Sequence, residues 1–131
     1  IQDTNLICPP VVSQFAALEA IRTGRAYCEE KLAEVRDVRN LVIERLAGWD
    51  EFATVAPAKG AFYFLLKIKT KLDSLSVTKR LIEEYKVAVT PGSAFGLTEN
   101  CFLRIAYGVL DHSTCEEALD RLEKGLAVIT S

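Results

Sequence analysis

The hydrophobic positions fall into two rhythms along the chain, a helical one in the first third and at the end, and an alternating one between them. Pro9 and Pro10 close a leading loop, and Pro10 suits a first helical residue because its missing N–H would be unpaired there anyway. Val11, Phe15, Leu18 and Ile21 then recur at three-to-four spacing, which predicts a short helix to about residue 23, ended by Gly24. A second, charged helix is predicted over residues 25–47. Leu32, Val35, Val38, Val42 and Leu46 form its apolar stripe and Gly48 closes it. At 1.5 Å per residue it would run for about 34 Å, long for a chain of this size.

The rhythm changes to alternation near Gly60. Phe62, Phe64, Leu66 and Ile68 fall on one side of a strand, and Ala61, Tyr63, Leu65 and Lys67 on the other. The strand is predicted over residues 54–68 with Gly60 to Ile68 as its core, broken from its lead-in by Pro57 and Gly60. A helix follows over residues 77–86, with Leu81, Ile82 and Tyr85 inward. A short strand at 87–90 and a Pro91-Gly92 turn come next, then a strand at 101–107 with Leu103 and Ile105 on one face. The final helix opens on a Ser113–Glu116 capping box and buries Cys115, Ala118, Leu119, Leu122 and Leu126. The order α-α-β-α-β-β-α predicts an α+β fold, with a small mixed sheet of about three strands and helices on one face. The other face is then left for something else to cover.

Composition narrows the function classes. Half of the 131 residues are hydrophobic and 26% are charged, enough apolar matter for a core. Net charge is −2 with no basic block, which argues against nucleic acid or an acidic membrane as partner. No apolar run approaches a membrane span. Cys8, Cys28, Cys101 and Cys115 show no metal-like spacing and read as buried small residues or free thiols in a reducing, cytoplasmic setting. The chain contains no methionine and begins at Ile1, which reads as a piece excised from a longer protein.

Arg104 is the foremost candidate for chemistry. Arg22, Arg36, Arg39, Arg45 and Arg121 lie on charged helices and read as solvated. Arg104 instead sits mid-strand in Phe102-Leu103-Arg104-Ile105-Ala106, with Glu99 the one acid within six residues. A guanidinium there needs a partner, because burying it alone costs several kcal/mol. That partner is either an acid from elsewhere in the fold or the carboxylate or phosphate of a ligand, which the planar fork binds through two parallel hydrogen bonds. The Pro91–Gly96 loop lacks the spacing and the Lys of a Walker phosphate loop and reads as a tight connection. Ser76-Val77-Thr78-Lys79 imitates a Schiff-base lysine stretch, but Lys79 stands beside Arg80 on an amphipathic helix and reads as solvated. His112 has no nucleophile or carboxylate arranged around it and reads as a surface residue.

Three stretches together, Pro57-x-x-Gly60-Ala61-Phe62-Tyr63, Val87 to Gly96 and Phe102 to Ala106, resemble the C-terminal third of class I/II, fold type I pyridoxal-phosphate (PLP) aminotransferases in order and spacing. Pro10 to Ala20 resembles the helix after the cofactor lysine of those enzymes. The resemblance implies a C-terminal small domain over residues 1–131. Within it, 1–22 would pack against a large domain outside this chain, 25–47 would link the two, and 54–131 would form the small-domain core. It implies that Arg104 binds the substrate carboxylate and that Phe95 lies at the active-site mouth. It also implies amino acid and 2-oxo acid substrates, PLP held elsewhere in the parent enzyme, and a homodimer. No catalytic, cofactor-binding or metal-ligating residue of that pattern falls in this chain, so the piece alone would be inactive. A lyase, decarboxylase or cyclopropane-forming synthase on the same fold, or a non-catalytic binding module, remain alternatives. Lys86 stands where the family usually carries Gly, and the helix end there is expected to be either strained or differently closed.

Overall fold

The computed structural model describes residues 7–131. The chain divides into two compact units, Ile1–Ala33 and Glu34–Ser131. Its elements run α1 (Val11–Thr23), α2 (Arg25–Leu46), β1 (Ala53–Val55), β2 (Tyr63–Ile68), α3 (Ser74–Tyr85), β3 (Thr90–Pro91), a 3-10 turn (Gly92–Phe95), β4 (Phe102–Ala106) and α4 (His112–Thr130).

In the first unit, Pro10 stands at the cap position and α1 starts one residue later. Gly24, at φ +70°, ends it in a conformation that costs a side chain but not glycine. No residue of α1 is buried, and Val11, Val12, Phe15 and Ile21 are all more than 60% exposed. Its apolar residues are therefore not spent on a core within this chain.

The second unit holds the sheet, in the order β1-β2-β4-β3 with every neighbouring pair antiparallel. The fourth strand is β1, formed by the lead-in to β2; three residues are too few to show a period. Alternation is strict in the middle. Phe64, Leu66 and Ile68 of β2 and Leu103 and Ile105 of β4 are buried, whereas Tyr63, Leu65 and Lys67 face outward. Val38, Val42 and Leu46 from α2, Val77 and Leu81 from α3, and Cys115, Leu119, Leu122, Leu126 and Ile129 from α4 join that inner face in one core. The expected one-sided α+β arrangement is what forms.

Several local expectations are corrected. Phe62 was expected on the face of Phe64, Leu66 and Ile68 but is 58% exposed where those three are buried, because Ala61 at φ +64° turns the chain and the strand begins only at Tyr63. Ile82 is 45% exposed: the buried stripe of α3 is Ser74, Val77, Thr78 and Leu81, and Ile82 falls past its edge, about 40° beyond Thr78. That helix starts early, because Asp73 caps it by accepting from the backbone N–H groups of Leu75 and Ser76 at 3.0 and 2.9 Å. The strand expected at 87–90 shrinks to Thr90–Pro91. The Ser113–Glu116 box is displaced by Asp111, whose carboxylate accepts from Thr114 N–H at 2.8 Å and makes His112 the first helical residue. Leu32 is exposed. Lys86 does close α3 in the left-handed region, at φ +57°.

Candidate functional site

Arg104 lies in the central strand β4, opposite Leu65 of β2 on one side and Thr90 of β3 on the other. Its neighbours Leu103 and Ile105 point into the core, so alternation alone sends Arg104 to the outer face. The flanking element is the 3-10 turn. Gly92 sits against β4 so closely that a Cβ would lie 2.6 Å from Phe102 Cβ, and Gly96 at φ +80° turns the chain away after Phe95. Only glycine permits the first approach, and it brings the Phe95 ring over the strand.

The Arg104 guanidinium carbon is 4.8 Å from the Phe95 ring centroid and 5.3 Å from that of Tyr63. Both lie within the range of cation–π attraction. Tyr63 reaches it diagonally, since Tyr63 and Leu65 share the outer face and Leu65 is the direct partner. Tyr63, Leu65, Phe95, Leu97 and Arg104 line a depression of about 180 Å³. No ion pair joins Arg104 to a carboxylate among the described residues, and its buried Nε has no hydrogen-bond partner. Of the two partners considered for this arginine, an acid within the fold is therefore not found.

The other arginines differ. Arg45 bridges Asp120 at 2.6 Å and Glu123 at 2.7 Å, ties α2 to α4, and has its pKa raised chiefly by the hydrogen bond to Asp120. Arg39 is half-buried, donates to the carbonyl of Ala58 and lies 5.5 Å over the Phe64 ring. Neither is a freely solvated charge, as their helical setting suggested; their partners lie far away in sequence. Arg22, Arg80 and Arg121 pair with acids three or four residues away on their own helices. Lys79 and His112 are exposed. Cys101 and Cys115 are buried, and burial pushes the Cys101 thiol up to about 11, so neither is poised as a nucleophile. Among the described residues, no cluster of His, Cys, Asp or Glu could hold a metal, and no helix is long and apolar enough to cross a membrane. Sequence reasoning singled out Arg104 and Phe95, which the structure brings together, and did not single out Tyr63. Its place on the same face as Leu65 was visible, yet the register between β2 and β4 was not.

A cationic fork that meets no acid among the described residues, between two aromatic rings on an open sheet face, can bind a carboxylate. Comparison with known proteins agrees with the order of the motifs. An aromatic-amino-acid aminotransferase of Thermococcus litoralis is 42% identical over 125 residues, covering 93% of this chain and 31% of that protein. An aspartate aminotransferase of Pyrococcus abyssi gives the same identity and coverage. Among solved structures, an aminotransferase from Mycobacterium tuberculosis superposes with a TM-score of 0.81 at 32% identity, over 96% of this chain and 33% of that one. The chain thus spans about a third of the length of the relatives it matches. The family model for aminotransferase classes I and II matches residues 2–122, and the chain belongs to that family.

Proposed function

We propose that this chain is the C-terminal portion of a PLP-dependent enzyme that moves an amino group between an amino acid and a 2-oxo acid, and that Arg104 binds the substrate carboxylate. The observation that carries this reading is a guanidinium on the outer sheet face that pairs with no acid among the described residues. Arg45 has its acids beside it and Arg39 donates to the carbonyl of Ala58, whereas no hydrogen bond or ion pair is found for Arg104 among the described residues. A bidentate contact to a carboxylate fixes the orientation of a small substrate, and this is the contribution the chain makes to the reaction.

The residues around Arg104 do not fit the cofactor itself. Tyr63, Leu65, Phe95 and Leu97 supply neither a primary amine for its carbonyl carbon nor an acid for its ring nitrogen. Cofactor chemistry therefore belongs to the rest of the longer protein, and the 131-residue piece alone should be inactive. The exposed apolar residues of α1 support covering of residues 1–22 by that remainder, with 25–47 as the link and 54–131 as the small-domain core. A second copy of the protein completes the assembly. The four free cysteines fit a reducing, cytoplasmic setting.

The test is Arg104→Ala in the full-length enzyme. Loss of about 2–5 kcal/mol in kcat/KM is expected for carboxylate substrates, as for truncating one partner of a buried charge pair. Arg104→Lys should also be poor, because a point charge does not reproduce the fork. Unchanged kinetics would make Arg104 a structural residue.

A further inference from the structure

We infer that Tyr63 and Phe95 are positioning residues, an aromatic clamp that sets the plane of the Arg104 guanidinium and presents its two terminal nitrogens to a carboxylate. The inference rests on the carboxylate reading of Arg104 and goes beyond it. A long side chain on an open sheet face has several rotatable bonds and no reason to hold one pose. Two devices can hold it. An acid would do so at the expense of the charge and of the fork. Aromatic faces attract the cation through their quadrupoles and leave both intact.

The geometry is of the second kind. Rings stand at 4.8 and 5.3 Å from the guanidinium carbon, and no acid is paired with it among the described residues. Nε is shielded, which closes the side-on approach that would use Nε and one terminal nitrogen. What remains is the end of the fork. Leu65 and Leu97 line the same depression and lower the local polarity, which strengthens a charge-assisted hydrogen bond made there. Each clamp residue is itself fixed by backbone. Tyr63 is held by the β2–β4 register, and Phe95 by a turn pressed onto β4 at Gly92 and ended at Gly96.

The experiment follows the arginine Nε–H signals of the isotopically labelled 131-residue chain by NMR during titration with sodium acetate, with sodium chloride at equal ionic strength as control. Ring currents should displace the Arg104 signal from that of exposed Arg36, and acetate but not chloride should move it. Tyr63→Leu and Phe95→Leu are each expected to weaken acetate binding roughly two- to fivefold and to reduce the displacement. Tyr63→Phe and Phe95→Tyr keep the ring and should retain both. Tyr63 and Phe95 are 39% and 49% exposed, so the core amide spectrum should survive every variant. If the leucine variants bind acetate as the unaltered chain does while Arg104→Ala does not, the clamp is overturned and the carboxylate reading stands. If acetate moves nothing in the unaltered chain although the Arg104 signal is displaced, the carboxylate reading itself is overturned.

Discussion

Leu103 and Arg104 are adjacent on one strand and answer to opposite demands. Leu103 is fully buried against helices of its own chain, and Arg104 faces a shallow depression with two rings beside it. The inner face of the sheet is complete: β-strand alternation, α2, α3 and α4 contribute to one continuous core. On the outer face, Tyr63, Leu65 and Phe95 are each more than a third exposed around a charge that has no counter-charge among the described residues. The difference separates the part of the sequence that makes the fold from the part that uses it. A strand does both at once because its side chains point alternately to two environments.

That separation can be broken at its sharpest point by comparing neighbours. Leu103→Ala removes a buried side chain and should cost about 2–5 kcal/mol of stability in urea titration. Arg104→Ala should cost no more than about 1 kcal/mol in the same titration. Equal losses would show that the outer face is part of the core after all.

A smaller effect, of opposite sign, is expected at the helix ends that seal the inner face. Lys86 holds a left-handed conformation that glycine adopts without steric penalty. Lys86→Gly should therefore raise the midpoint of chemical unfolding by the equivalent of about 1 kcal/mol, with the denaturant dependence unchanged. A destabilised variant would mean that the Lys86 side chain, which donates to the carbonyl of Glu83 at 2.6 Å, outweighs the backbone strain.

The smallest effect is one of pH. Asp111 is held down to about 2, from an ordinary value of 3.8, first by the Thr114 N–H and then by the Ser113 and Thr114 hydroxyls. The folded pKa is the lower one, so this contribution is full above about pH 4 and is lost as pH falls toward 2. Asp111→Asn should flatten the acid limb of the thermal midpoint over that window. An unaltered limb would shift the acid sensitivity to Asp73, whose carboxylate is lowered mainly by the Ser76 hydroxyl.

What the sequence made legible follows the range of the interactions involved. Periodicity located α1 and α2 to within a residue or two and the start of α4 to within two, and alternation put Leu103 and Ile105 on the face opposite Arg104. Those are properties of neighbours a few positions apart. Asp111 was equally local, but the Ser113–Glu116 pair imitated a better-known cap beside it. β1 escaped because its three residues owe their conformation to pairing with Leu66, Lys67 and Ile68, a partner that no window over residues 53–55 contains. The same holds for Arg45, whose acids lie 75 and 78 positions away, and for Tyr63, which meets Arg104 only through strand register. Arg104 itself was conspicuous for what its surroundings lacked.

Gly92 gives the outer face an unusual kind of fragility. Its Cα rests so close to Phe102 that even one added methyl would have to lever the turn away from β4. The turn carries Phe95, so the ring would leave the guanidinium while the buried residues of β4 kept their places. A lineage could thus silence this arginine without ever touching it, by a change at a position that binds nothing.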